Sequence, residues 1–438
     1  MTSPAEVAGG GSRERTWPSI WPWTWERAAW LKLSDLLAVA AAAALPWSTS
    51  ALAILAVLWA LSLIPSFERA AFLRVFKHPA SVLPVLLFAL GVAAMLWAEV
   101  PWSDRIRAVH SVAKLLFIPL LFFHFARSQR AWWPLVAFLA SCAVLMIYSW
   151  FIYLAPHLAL APPRSPGVPI KDYINQSQEF VLCAFAGLGA AWRLHRAELR
   201  WQAVLLALLA AGFLANVFFV ALARTALIYI PALLLLFAVR HFKGRLIALT
   251  LAGAAVAGAL VWSASPMLRG RALNVMSEYE KYRSTNAATS TGQRLEYWRK
   301  SLRFVAEAPL IGHGTGSIKA LYEVAARGQS GVSAEVVSNP HNQTLRVAVQ
   351  FGLVGVAVLY AMWFSHAWMF RGHRLAAWIG LVVVVQNFIS SIFNSHLFDF
   401  HEGWIYVLGA GIAGGMMNRA GYAEKASLLR LRDLPRTD

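Results

Sequence analysis

Twelve apolar stretches recur along this chain, at roughly 33–47, 51–64, 80–98, 106–125, 133–154, 174–192, 201–220, 222–239, 245–263, 344–370, 375–392 and 402–418. Most approach the ~20 residues that a helix needs to cross a bilayer. Lipid offers no partner to an open backbone hydrogen-bonding group, so only helices and closed barrels span it. Uninterrupted apolar runs without strict alternation select helices. The chain therefore reads as an all-α polytopic membrane protein with about 12 transmembrane helices. The second stretch is short enough to pair with the first as a re-entrant hairpin. Only 14% of the residues are charged, against about a quarter in a soluble domain.

The predicted organisation is an N-terminal tail over 1–32, helices 1–9 over 33–263, a large loop over 264–343, helices 10–12 over 344–418, and a C-terminal tail over 419–438. The first residues lack the single apolar core and small-residue cleavage site of a signal peptide. Alternate short connections hold thirteen basic residues, among them Arg193, Arg196, Arg240, Lys243 and Arg374. The opposite set holds only Arg105, Arg107, Arg164, Lys171 and Arg224. Positive charge stays on the inner side of a membrane, so both tails are expected inside and the large loop outside. The net charge of +18 is scattered in such clusters, with no basic arm long enough to follow a nucleic acid. Cys142 and Cys183 both lie within apolar stretches, which implies neither a disulfide framework nor a metal site. Twenty tryptophans, clustered at first between Trp17 and Trp30, suit interfacial belts.

The large loop carries ten Lys/Arg against six Glu, and at this length the topology rule does not require that excess. At its end, Asn339-Pro340 reads as the N-cap and first position of helix 10, which puts His341 in the first helical turn. Free N–H groups there favour an anion and a neutral imidazole able to accept a proton. A histidine that merely caps an interfacial helix is the plainer alternative. Upstream, Leu295, Trp298, Leu302 and Val305 share one helical face, and Arg299, Arg303 and Glu296 lie away from it. Arg294 falls on the apolar side and is expected to point into a cleft between loop and membrane, snorkelling being the alternative. Arg224 opens the eighth stretch on the outer side, where an ionisable residue is a functional candidate. Two arginines and a helix N-terminus together can hold a diphosphate, because guanidinium matches phosphate oxygens in pairs. Asn342, Gln343 and Asn175 are further candidates for orienting a substrate or the histidine. Gly312-His313-Gly314-Thr315-Gly316 lacks the flanking elements of a nucleotide loop and reads as a tight turn. Asn394, His396, Asp399, His401 and Glu402 cluster in the last outer loop without a clean metal-ligand pattern.

Taken together, Arg294-Leu-Glu-Tyr-Trp298, Ala308-Pro309-Leu-Ile-Gly312-His-Gly314, Pro340-His341-Asn342, Gly352-Leu-Val-Gly355 and Ala223-Arg224-Thr225 resemble the O-antigen ligase/polymerase superfamily. The resemblance covers about 220–370 closely. Thr225 stands where that family's short arginine element more often has glycine. Membership implies an inner-membrane glycosyltransferase with a GT-C-like helical fold and a periplasmic active site. It also implies a donor glycan on undecaprenyl diphosphate and no metal, nucleotide or other cofactor. Of the family's reactions, transfer to lipid A-core (a ligase) is expected here, with His341 as general base and Arg224 and Arg294 on the diphosphate. A polymerase with the same donor is the alternative within the family. A transporter or flippase of lipid-linked sugars is the alternative from another class.

Overall fold

The structure is a computed structural model that describes residues 27–159, 162–163 and 165–432, with side chains through 419. The expected interfacial belt before Arg27, the topological marker Arg164 and the end of the C-terminal tail lie outside the described residues. Every described helix is α-helical or a short 3-10 turn, and the described residues include no strand beyond one isolated bridge. In chain order the helices are α1 (Arg27–Ala44), α2 (Thr49–Ser62), α3 (Arg69–Phe76), α4 (Pro79–Ala93), α5 (Trp102–Ala113), α6 (Phe117–Arg127) and α7 (Trp132–Leu154). Next come α8 (Tyr173–Arg196), α9 (Arg200–Phe219), α10 (Ala226–His241) and α11 (Arg245–Ala264). The large loop folds as α12 (Pro266–Thr285), α13 (Ser290–Glu307) and α14 (Ile318–Ala326). The chain ends with α15 (Gln343–Met369), α16 (Leu375–Ser390) and α17 (Phe400–Arg432).

All twelve apolar stretches fall on helices. By length and composition, however, six of the described helical segments can cross a membrane alone, or seven if the pair α3 and α4, bent by 86°, counts as one span. Part of the difference from twelve has a physical cause. Helices α10 and α16 have 16 residues each, short of a full crossing, and α8 carries polar residues in its first turns. The second stretch, expected to be short, continues through a 3-10 turn to give an 18-residue span over Thr49–Ser66. Helix α11 buries none of its residues, and its exposed Leu249, Val256 and Leu260 suit contact with lipid.

A polar hub inside the bundle fixes the floor of the site. Asp172 caps α8 by accepting from the N–H groups of Ile174 and Asn175. The next turns then bury Gln176, Ser177, Gln178 and Glu179. Gln176 donates to Ser149 at 2.9 Å and to Asn216 at 3.0 Å, so α7, α8 and α9 share one hydrogen-bonded knot. Buried polar groups in lipid survive only when paired in this way.

The second fixed point is a break in α15 at Gly352, where φ is 62° and ψ is −162°. The break frees backbone groups that the 309–314 loop takes up. His313 N–H donates to Val349 O at 2.8 Å and Gly314 N–H to Gln350 O at 3.0 Å. In return, Leu353 N–H donates to Pro309 O at 2.8 Å. The glycine-rich stretch therefore docks the lid onto a membrane helix. A Cβ on Gly352 would lie 2.2 Å from the backbone of Leu310, in a region of φ/ψ that only glycine populates readily. Backbone strain there costs about 1–3 kcal/mol, and overpacking adds about 1–3 kcal/mol. Gly352→Ala is expected to lower the thermal unfolding midpoint of the detergent-solubilised protein by many degrees; an unchanged midpoint would show that the dock is not needed.

Candidate active site

The starts of α8 and α10 and the end of α16 meet α12 and α13 around a cavity of about 220 Å³. Arg224, Arg294, Arg271, Glu278, Tyr173, Asn394 and His396 line it. Arginines outnumber acidic side chains three to one in this lining, so the cavity is cationic.

The three arginines differ in their partners. Arg224 sits in the turn before α10 and grips Glu278 of α12 through both terminal nitrogens, with Nη1 to Oε2 at 2.7 Å. Glu278 also accepts from Thr291 N–H at 3.0 Å and from its hydroxyl at 2.7 Å. These bonds, led by those from Arg224, hold the Glu278 carboxyl down to about 2. Its folded pKa is lowered, so the pair's contribution is full above the ordinary glutamate value and is lost only in strong acid. Arg271 stacks on Tyr173, 4.5 Å from the ring centre. Arg294 makes no hydrogen bond or ion pair among the described residues. Burial, and next the charge of Arg224, push its pKa down, the mark of a cation without its anion. Arg224 Nε and the Thr225 hydroxyl are buried and also lack partners among the described residues. An anion entering this cavity would satisfy several of these groups at once.

His341 does not line the cavity itself and meets its lining only through Asn394. Its Nδ1 lies 2.8 Å from Asn394 Oδ1. Ser395 N–H donates to that same oxygen at 3.0 Å, which identifies it as the carbonyl. In the neutral ring the proton therefore sits on Nδ1, which leaves the lone pair on Nε2. Tyr297 stacks on the ring at 6.1 Å and 25°. His396, buried beside Asn394, accepts from the Gln178 amide at 2.8 Å. Burial, and then the charge of Arg294, hold its pKa down to about 3, so it stays neutral.

The backbone at His341 departs from expectation. Asn342, not Asn339, caps α15 by accepting from Leu345 N–H at 2.9 Å, so His341 precedes the helix rather than sitting in its first turn. Its φ is 52°, an uncommon left-handed conformation for a histidine. Asn339 Oδ1 stabilises it by accepting from His341 N–H at 3.0 Å and from the Ser395 hydroxyl at 2.6 Å. Two competing Asx caps three residues apart are locally equivalent, and the packing of the 391–399 turn selects the second.

Asn342, Gln343 and Asn175 bond elsewhere than to the histidine. The Asn342 amide donates to Ile392 O at 2.9 Å. Gln343 accepts from Phe398 N–H at 3.2 Å, and the Asn175 amide donates to Glu402. None of the three lines the cavity. The turn they brace is pinned further by Lys114, which donates to Phe398 O at 3.0 Å, and by Arg346, 3.5 Å from Asp399.

The lid helix α13 buries Trp298 and Val305 of its apolar face in part, against the cluster of Tyr297, Phe304 and Tyr322. Its buried face holds Glu296, Tyr297, Lys300, Ser301 and Phe304, whereas Leu302 is 60% exposed. Next to a bilayer, amphipathicity distinguishes the two faces of a helix without saying which one meets protein. Arg294 nevertheless lines the cavity, as expected. Asn394, His396, Glu278, Arg271, Tyr173 and Ser290 are polar lining residues that sequence reasoning did not assign to the site. The cluster of Asn394 and His396 was the one available signal.

The fold is an all-helical, membrane-embedded bundle with a cationic cavity under an amphipathic lid, an arrangement suited to an anion. Residues 205–360 match the sequence model of the O-antigen ligase family, which supports the resemblance of this part of the chain to the O-antigen ligase/polymerase superfamily. The match supports ligase or polymerase activity in general, that of a glycosyltransferase-like enzyme, and it spans Arg224, Glu278, Arg294 and His341. No curated protein matches the chain.

Proposed function

We propose that the chain is an O-antigen ligase that moves a glycan from undecaprenyl diphosphate to a sugar hydroxyl of lipid A-core, at the periplasmic face of the inner membrane. The observation that supports this reading is a cavity lined by Arg294, which has no hydrogen-bond or ion-pair partner among the described residues, with His341 bonded through Nδ1 to the lining residue Asn394. His341 Nε2 accepts the proton of the acceptor hydroxyl as its oxygen attacks the anomeric carbon. The bond from that carbon to the diphosphate breaks, and its electron pair leaves on the diphosphate oxygen. Arg224 and Arg294 stabilise the charge that develops there. A single displacement inverts the anomeric centre. The leaving diphosphate needs charge stabilisation rather than a proton, so this route needs no carboxylate pair of the kind used in glycoside hydrolysis. In this reading both tails are cytoplasmic and twelve helices, some short or bent, build a GT-C-like scaffold.

The test is transfer by the purified protein from labelled undecaprenyl-diphosphate glycan to lipid A-core, with neither nucleotide nor added metal. Glycan on the core supports the ligase. Chain extension on the donor alone would make it a polymerase, and an intact donor would favour transport.

The Glu278 carboxylate occupies the fork of Arg224 where phosphate oxygens would bind, so donor and glutamate compete. Glu278→Gln is expected to lower KM for the donor several-fold with kcat little changed. A raised KM would show instead that Glu278 only positions Arg224.

A further inference from the structure

A second cationic cavity, about 700 Å³, lies at the opposite ends of three helices that build the first. Helix α8 starts at Tyr173 beside the candidate active site and ends at Arg196 beside this cavity. Helices α10 and α16 likewise have one end at each. Arg193, Arg196, Arg240, Lys243 and Arg374 line it, and no acidic side chain does. Trp192, Trp378 and Phe242 form aromatic walls.

The cations divide into two groups. Arg193 donates to His373 O at 2.8 Å and Arg240 to Arg371 O at 2.6 Å, so these two shape the 371–374 turn. Arg196, Lys243 and Arg374 are exposed, and their side chains make no hydrogen bond or ion pair among the described residues. Glu198, the nearest carboxylate in the chain, is engaged by Arg200 at 2.8 Å. Topology alone accounts for basic residues on this side. It does not gather five of them around one aromatic-walled concavity.

Beside this cavity is a second space of about 350 Å³ with almost entirely apolar walls, including Leu135, Phe138, Leu182, Ile379 and Leu408. Leu375 lines both. A soluble anion would use only the basic cavity. A molecule with a phosphate head and an acyl tail would use both.

We propose that this face binds an anionic phospholipid, with its phosphate among Arg196, Lys243 and Arg374 and an acyl chain in the apolar space past Leu375. Basic cavities between membrane helices suit such headgroups, each nearby cation strengthening binding about fivefold. The lipid would brace α8, α10 and α16 at the ends remote from the candidate active site.

The experiment places the full-length protein in phosphatidylcholine nanodiscs doped with phosphatidylglycerol, and measures retained lipid by mass spectrometry and the unfolding midpoint by heating. Phosphatidylglycerol is expected to be retained in preference to phosphatidylcholine and to raise the midpoint. Arg196→Gln and Lys243→Gln should each weaken its binding about fivefold, and the triple variant with Arg374→Gln roughly a hundredfold. These side chains are exposed and unbonded, so the variants should fold. Leu375→Trp should weaken the lipid without affecting inorganic phosphate. Equal retention of the two lipids, or unchanged binding by the triple variant, would overturn the proposal. So would a full midpoint shift from inorganic phosphate or glycerol phosphate alone, which would assign the cavity to a soluble anion.

Discussion

His341→Ala is expected to lower the rate of glycan transfer roughly 10²–10⁴-fold, the usual contribution of a positioned general base, while leaving expression and unfolding midpoint close to wild type. The small cost to the fold follows from the site's construction. The backbone of His341 is held by Asn339, and the ring's hydrogen bond to Asn394 is half-buried. Alanine also tolerates a φ of 52° poorly, so His341→Asn is the companion variant, because asparagine accepts that conformation more readily. Both should lose transfer alike if the lone pair on Nε2 is what matters. Asn394→Ala should give a smaller loss, because the ring would keep a free nitrogen but not a fixed tautomer. Full transfer by the well-folded asparagine variant would remove His341 from the chemistry.

The parts of this molecule that the sequence shows plainly are those set by local composition. Membrane-length apolar runs become helices wherever the chain places them, and all twelve did. Whether each crosses the bilayer is less local, since α10 and α16 are short and α3 and α4 meet at a sharp bend. Arg224 and Arg294 stood out because arginine beside apolar sequence is costly without a purpose. Glu278 gave no such signal: an acidic residue in a charged helix looks solvated until folding brings it to an arginine 54 positions away. The cap of α15 was ambiguous because Asn339 and Asn342 are equally good caps, and a contact from Ser395, more than fifty residues on, decides between them. On the lid helix the apolar pattern did not mark the buried polar residues, since Leu302 stays exposed and Glu296 is buried against Tyr282 and Arg299. The basic residues at 193–196, 240–243 and 374 read as topology markers, and only the three-dimensional ends of α8, α10 and α16 make them one cavity.

Arg294→Ala is expected to lower kcat/KM for the donor roughly 10²–10³-fold, the scale seen when one group that stabilises developing negative charge is removed. The prediction is sharper than its counterpart at Arg224. Arg294 makes no hydrogen bond or ion pair among the described residues, so its loss should barely shift the unfolding midpoint; relief of its repulsion with Arg224 would, if anything, raise it. Arg224→Ala removes a cation and also strands the Glu278 carboxylate in the cavity, where it would repel a diphosphate. Its effect on donor KM should therefore exceed that of Arg294→Ala, and Arg224→Ala with Glu278→Ala together should recover part of the loss. That recovery is a coupling energy between the two side chains. Arg294→Lys keeps the charge but not the two-pronged geometry, and should fall between wild type and alanine. If Arg294→Ala transfers glycan with unchanged KM and kcat, the unpaired guanidinium is not the diphosphate's partner and the anion binds elsewhere in the cavity.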